Sequence, residues 1–351
     1  MCGNRAVINI KVDKAKCSLL YVFYVLLINR STIETLAVGS VQKNLYISTL
    51  GSFELRLPPI GIQNRIAAAL SILDSKVDLN TQTNQTLESI AQTLFKSWFV
   101  DFDPVKAKIR GEQPEGMDAA TAALFPDKLV ESDELGMIPE GWTVSVAGTH
   151  LDQLETGKRP KGGVKGITEG IPSIGAENIL GVGKYNYAKE KFIPEEMFLS
   201  MKKGVISSMD VLIYKDGGKP GDFKPRFSMF GFGFPYEICA INEHVFRIRS
   251  TSLGQPYLYF TFSSDRIYHE LRNKGAKAAI PGINQKDLKS TLLLIPSPAV
   301  LERFNSVVQK KLELILKNSK NSLELVNLRD TLLPKLLSGE LDLSQLETED
   351  A

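Results

Sequence analysis

Residues 57–99 read LPPIGIQNRIAAALSILDSKVDLNTQTNQTLESIAQTLFKSWF. Pro58 and Pro59 break any preceding strand and set a helix start. From there Ile66, Leu70, Leu73, Val77, Asn80, Asn84, Leu87, Ala91, Leu94 and Trp98 follow at alternating steps of four and three. That spacing predicts a coiled-coil seam with a polar centre at Asn80 and Asn84, where polar residues weaken packing but pin the register. A helix from Ile60 to Trp98 is about 58 Å long at the usual rise per residue. It cannot bury its apolar stripe alone.

The partner comes from the same chain. IPSPAVLERF (295–304) resembles LPPIGIQNRI (57–66), and Arg303 matches Arg65 at an offset of 238 residues. KNSLELVNLRDTLLPKLL (320–337) matches NQTLESIAQTLFKSWF (84–99) at Leu-Glu and Thr-Leu pairs. Upstream, YLYF (257–260) matches LYVF (20–23), and QKDL (285–288) matches QKNL (42–45). Self-similarity at a fixed offset marks a repeated unit. In the second helix Val308, Leu312, Ile315, Ser319, Ser322 and Val326 repeat the seam, again polar midway. The simplest arrangement is an α+β protein in which two long helices pack as an antiparallel coiled coil beside a mixed α/β domain.

The expected organisation runs in six parts. Residues 1–57 are the end of a first unit and 58–103 the first long helix. Residues 104–141, rich in Pro, Gly and acids, read as a linker with one short helix at 118–125. Residues 142–296 form a complete domain, 297–340 the second long helix, and 341–351 an acidic tail. Charge follows this division. Residues 101–148 carry 4 basic and 10 acidic side chains, whereas 149–289 carry 21 basic and 15 acidic.

Other bulk properties are those of an ordinary globular protein of 351 residues, with 43% hydrophobic and 23% charged residues and a net charge of +2. Three cysteines and three histidines, widely scattered, do not make a zinc site and fit a reducing cytoplasm. LLYVFYVLLI (19–28) is too short to span a bilayer and lacks a signal-peptide cleavage site, so it reads as a buried helix or strand.

Between Trp142 and Pro296 short apolar runs broken by glycine predict strands: GIPSIGAENI, DVLIYKDG, CAINEHVFRIR and STLLLIPSP. YLYFTFSSDRIYHELRNKG predicts a helix stopped by Gly275. Three glycine-rich basic loops stand out. The first carries Lys158, Arg159, Lys161 and Lys165; the second Lys219, Lys224 and Arg226; the third Arg272, Lys274 and Lys277. Cations beside glycine suit phosphate contact, and arginine also reads guanine edges. Charged loops are commonly only solvated, so it is their concentration in one basic domain that points to DNA.

Catalytic signatures are absent. There is no phosphate-binding loop, dinucleotide fingerprint, nucleophile elbow or zincin motif. Asp101 and Asp103, in SWFVDFDPVKAK (97–108), are the one paired-carboxylate candidate for Mg²⁺-dependent nuclease chemistry. Their neighbourhood supplies no further ligands. The structural alternative is a turn at which Pro104 ends the long helix.

LPPIGIQNRIAAALSILDSKVDLN joined to NQTLESIAQTLFKSWFVDFDPVKAK, LRDTLLPKLLSGELDL near the end, and IPSIGAENI, VLIYKDGG and INEHVFRIR between them resemble the specificity (S) subunit of type I restriction-modification systems. The likeness spans nearly the whole chain. It implies a non-catalytic subunit with two target recognition domains, each reading half of a split DNA site, held apart by the two helices. It further implies docking of methyltransferase (M) subunits on those helices, with motor-nuclease (R) subunits joining the core. AdoMet, ATP and Mg²⁺ then belong to those partners, this chain holds no cofactor, and no membrane is involved. The first recognition domain departs from the family pattern in retaining only residues 1–57. The chain is then a truncated remnant, or it pairs with a second copy or another S fragment. A coiled-coil adaptor whose basic domain binds protein is the further alternative.

Overall fold

The computed structural model describes residues 7–38, 44–219, 221–277 and 280–341. Along the chain lie α1 (Leu19–Ile28), α2 (Arg30–Thr35), α3 (Ile47–Gly51), α4 (Ile60–Phe99), α5 (Asp103–Ile109) and α6 (Ala119–Ala123). Then follow β1 (Leu129–Ser132), β2 (Gly136–Pro139), β3 (Thr143–Val146), β4 (Gln153–Thr156), β5 (Ile171–Ile174), β6 (Phe192–Ile193), α7 (Glu195–Ser200), β7 (Val211–Tyr214) and β8 (Phe227–Met229). The chain continues through β9 (Ala240–Ile241), β10 (Val245–Arg249), α8 (Gln255–Ser263), α9 (Asp265–Ala276), α10 (Gln285–Lys289), β11 (Leu292–Ile295) and α11 (Pro298–Ser338). The result is a mixed α/β domain with small sheets plus two unusually long helices, α4 and α11, that pack together extensively.

The chain divides into two compact units, and each long helix contributes to both. One unit comprises residues 1–80 and 321–351, the other residues 81–320. In the first, α1 lays Tyr21, Tyr24 and Val25 against Ile66, Ala67 and Leu70 of α4 and Leu333 and Leu336 of α11. Arg329 pairs with Asp74 at 2.6 Å, and Asn80 donates to Asn321 Oδ1 at 3.0 Å and Ser322 Oγ at 3.1 Å. The run LLYVFYVLLI is therefore a helix, but it is buried on one side only. Leu19, Leu20 and Phe23 are about half exposed.

In the second unit Asn84 donates to Ser319 Oγ at 3.2 Å and accepts from Asn318 at 3.0 Å. Further along, Phe95 meets Phe304. Within each unit the partners on α4 and α11 therefore run in opposite senses. Every seam position expected from the heptad spacing is buried or half-buried. Ile66, Leu70, Asn80, Ala91, Trp98, Val308, Leu312 and Ile315 are buried, while Leu73, Val77, Asn84, Leu87, Leu94, Ser319, Ser322 and Val326 are half-buried.

An aromatic cluster closes α4. Phe99 lies 4.9 Å from both Tyr257 and Phe304, and Trp98 lies 5.0 Å from Phe125. Phe99 and Phe102 both reach Trp142. This cluster explains why residues 104–141 are not the open linker expected from their composition. They form α5, α6 and the β1–β2 hairpin, with Val105, Phe125 and Ile138 buried. The short helix stands where expected, capped by the Asp118 side chain on Thr121 N–H.

Two expected helix ends are also corrected. Pro104 lies in the first turn of α5, so it starts a helix as well as following one. The run expected to be one helix ending at Gly275 is two, broken at Ser264 between α8 and α9; α9 ends at Ala276, with Gly275 buried in its last turn. A Cβ there would come within 2.3 Å of the Phe223 ring, so glycine is needed for close approach and not for a cap.

The four runs expected to be strands contain β5, β7, β9 with β10, and β11, and the strands pair in four small sheets: β1-β2, β4-β10-β7-β8, β11-β3 and β6-β5-β9. No described helix is long and apolar enough to cross a membrane. The match of QKNL to QKDL falls partly on residues 42–43, and all of the acidic tail after Leu341 likewise lies outside the described residues.

Candidate nucleic-acid interface

The sheet β4-β10-β7-β8 is antiparallel throughout. Its register pairs Thr156 with Phe246, Tyr214 with Val245, and Ile213 with Phe227. The end of β4, the start of β10, the end of β7 and the start of β8 therefore share one edge of the sheet. The first basic loop leaves β4 there, and the second runs from β7 to β8 there. The third joins by backbone bonding, since Gly217 N–H donates to Pro281 O and Ile283 N–H to Lys215 O, both within 3 Å. The first two loops and residues 281–283 of the third thus converge, while Arg272 and Lys274, expected in that third loop, lie in the last turns of α9.

A polar floor ties them. Arg159 of the first loop pairs with Glu243 at 2.9 Å. Lys215 pairs with Asp216 at 2.9 Å and donates to Glu243 O at 3.2 Å. His244 bonds Asp216 through Nδ1 and lies 3.4 Å from Glu243 through Nε2. Burial alone would raise the Asp216 carboxyl, but hydrogen bonds from His244 and Lys215 outweigh it and hold the group below its ordinary value. Lys191 does the same for Glu177 against burial. These acids consume local positive charge and fix the loops. The cations beyond them stay outward.

Lys158, Arg159, Lys161, Lys165, Lys219, Lys224, Arg272 and Lys277 are exposed. Lys224 lies 3.4 Å from Asp222. Arg226 is half-buried with its guanidinium 4.3 Å above the Tyr214 ring. Lys274 stands apart from the rest. It pairs with Glu270 at 2.7 Å and reaches Asp287 O and Ser290, tying α9 to α10. Lys215, Asp216, Glu243 and His244 were absent from the expected set. They sit in YKDG and INEHVF, where polar residues bracket apolar strands, a signal easily read as mere strand boundaries.

Toward the opposite end of the same sheet lies a buried ionic group. Asp210, fully buried, takes Arg247 and Arg249, each at 2.7 Å, and Arg247 also meets Glu155 at 3.2 Å. Buried charges are tolerated only when paired in this way. Glu155 in turn accepts from Gly204 N–H, linking the sheet to the segment before β7.

The paired carboxylates of SWFVDFDPVKAK are otherwise engaged. Asp101 pairs with Lys96, and Asp103 opens α5, where a negative charge suits the helix start. Among the described residues no group of three acidic, histidine or cysteine side chains could hold a metal ion.

Comparison with known proteins gives a consistent picture. The family model described as type I restriction modification DNA specificity domain matches residues 1–89. The type I restriction enzyme MjaIX specificity subunit of Methanocaldococcus jannaschii is 28% identical over 311 residues, which is 88% of this chain and 65% of that protein. The HindI specificity subunit of Haemophilus influenzae is 28% identical over an alignment of 374 positions, 91% of this chain and 76% of that protein. The chain thus spans about two thirds to three quarters of the length of these relatives. The crystal structure of a type I restriction-modification system S subunit from M. genitalium shares the fold, with a TM-score of 0.52 at 17% identity over 93% of this chain and 74% of that one. With these matches, the chain is similar over most of its length to type I restriction-modification specificity (S) subunits.

Proposed function

We propose that this chain is a sequence-specific DNA-binding subunit of a type I restriction-modification complex, reading half of a bipartite duplex site. Residues 142–296 act as the target recognition domain. The observation that carries this reading is the convergence of the first two basic loops and residues 281–283 of the third on one edge of the β4-β10-β7-β8 sheet. In this reading the two long helices form an antiparallel coiled coil that serves as a spacer and docks M subunits. Exposed Ile72, Leu79 and Ile90 on α4 and Leu314 and Leu328 on α11 support docking on their outer faces. R subunits join that assembly. Methylation with AdoMet and cleavage with ATP and Mg²⁺ are the work of those partners. The half-exposed face of α1 favours a second reading of the assembly, in which a further copy or another S fragment adds the other recognition domain.

Binding of the full chain to duplex DNA, measured by fluorescence anisotropy across salt concentrations, tests the central claim. Each neutralised phosphate adds about −0.9 to the slope of log affinity against log salt. Reversing Lys158, Arg159 and Lys161 to glutamate is expected to weaken binding and flatten that slope by about 2 to 3. An unchanged slope would remove the first loop from the interface. A wild-type chain that binds M subunits but never duplex DNA would favour the adaptor reading instead.

A further inference from the structure

The basic residues at the sheet edge are held in different ways, and this sorts them by task. The lysines of the three loops other than Lys274 project on long flexible stems, and ammonium groups of that kind suit phosphates, which demand charge and little geometry. Arg226 is held otherwise. Cross-strand pairing sets it opposite Tyr214, whose N–H donates to Arg226 O at 2.9 Å. Its guanidinium lies over the Tyr214 ring at 4.3 Å. That ring in turn stacks on Phe223, with centroids 5.5 Å apart and planes 19° from parallel.

Two glycines build this column. Gly217, at a φ of +128°, leaves room for the Tyr214 hydroxyl, which a Cβ would approach to 2.5 Å. Gly275 leaves room for Phe223 in the same way. The glycines of the second and third loops therefore seat aromatic rings beneath an arginine. Phe223 is fully buried and Tyr214 nearly so, which makes the platform rigid. A guanidinium held by its face and by a hydrogen bond to the Tyr214 hydroxyl is pre-oriented, with further donors of its planar fork left for a ligand. Among the described residues no carboxylate forms an ion pair with it.

We propose that Arg226 is a specificity-determining residue that reads the O6 and N7 edge of a guanine in the major groove, while the surrounding lysines hold phosphates. This rests on the DNA-binding reading above. The fork geometry matches that edge bidentately, and a stacked arginine pays little ordering entropy on contact.

Selection by the full-length chain from a randomised duplex library, followed by anisotropy on the enriched sequences, tests this. Wild type should enrich a fixed guanine. Arg226→Lys keeps the charge and loses the fork. It should relax preference at that guanine by about tenfold, leaving the salt slope and the other selected positions unchanged. Replacing that guanine with 7-deazaguanine should weaken wild type to a similar extent and leave Arg226→Lys unaffected. Circular dichroism checks that the variant is folded; if it is not, the 7-deazaguanine scan on wild type still decides, because insensitivity at every guanine overturns the proposal. Identical base preference in a folded Arg226→Lys chain also overturns it, as does a wild-type selection with no fixed guanine, and in both cases DNA binding itself stands. If wild type binds no duplex at all, both readings fall together.

Discussion

Helices α1 and α8 carry matching apolar sequences, and each packs against the long helices within its own unit, yet they are covered very differently. From Gln255 to Phe262 every residue of α8 is buried, because β7 and β8 cover the side that the long helices leave open. In α1 only Tyr21, Val22, Tyr24 and Val25 are buried. The cores beneath differ to match. Below α8 lies a network of large rings, Phe95, Phe99, Tyr257 and Phe304. Below α1 the contacts are chiefly aliphatic, with Leu70, Leu333 and Leu336. A repeated sequence thus fixes how a helix meets its own bundle, but not how many of its faces are covered.

The largest expected effects probe these two cores. Phe304→Ala removes a fully buried ring that touches several others, and should cost about 3–5 kcal/mol. Leu70→Ala should cost about 2–5 kcal/mol in the smaller core. Calorimetry should show each substitution shifting a different part of the unfolding profile. If both shift one common transition equally, the two cores are not separate cooperative units, and the comparison loses its basis.

The polar centre of the seam gives the next effect. Asn80 is 3% exposed and bonded to the exposed Asn321 and the half-buried Ser322, so Asn80→Leu removes two hydrogen bonds whose partners can turn to water. A loss of about 0.5–1.5 kcal/mol is expected in urea unfolding. Asn84 in the other unit is half-buried and shares its bonds among Ser319, Asn318 and Ile315 O, so its leucine variant should lose less. A larger loss at Asn84 than at Asn80 would contradict the difference in burial.

These helices were legible because their signal is local. Alternating four-three spacing, paired prolines at each start and polar residues midway all lie within a single run of sequence. The strands were legible for the same reason. What escaped was set by contacts between distant segments. The sheet order β4-β10-β7-β8 brings the basic loops together, and nothing in any one loop encodes that order. Gly275 looked like a helix cap because its reason for being glycine, the Phe223 ring, lies on another loop. Residues 104–141 looked like a linker because Val105, Phe125 and Ile138 are sparse and aperiodic, and the rings that bury them come from Trp98 and Trp142. Lys274 looked like a phosphate ligand, and only its neighbours Glu270 and Ser290 show that it braces two helices.

Two carboxylates beside tyrosines sharpen the contrast between the units and carry opposite signs. Asp74 accepts from Tyr24 at 2.6 Å and pairs with Arg329, so Asp74→Asn should destabilise. Glu190 lies beside Tyr185 and Tyr187, and its Oε1 is buried without a hydrogen-bond partner among the described residues. Burial pushes the Glu190 carboxyl above its ordinary value and Tyr187 up to about 12. A carboxyl raised in the folded state favours folding fully below its unfolded pKa and loses that contribution as pH rises through the folded value. Glu190→Gln should therefore raise the melting temperature modestly at pH 7, with the gain fading toward pH 4. A gain that grows on acidification would reverse the assignment.

The last expected effect lies on the outer side of α1. Phe23 is half exposed there, packing edge-on against Tyr24, so Phe23→Ser removes about half of a ring's buried area. Stability of the isolated chain should fall by only about 1 kcal/mol. The same substitution should still matter for assembly if a second copy or another S fragment covers this face as β7 and β8 cover α8. Sedimentation at increasing concentration separates the two effects. That small loss with weakened self-association means that the exposed face is a real interface and that α1, like α8, is covered on both sides in its working state. The same loss with unchanged association leaves α1 a one-sided helix, and the difference between the two units is then a permanent feature of the fold.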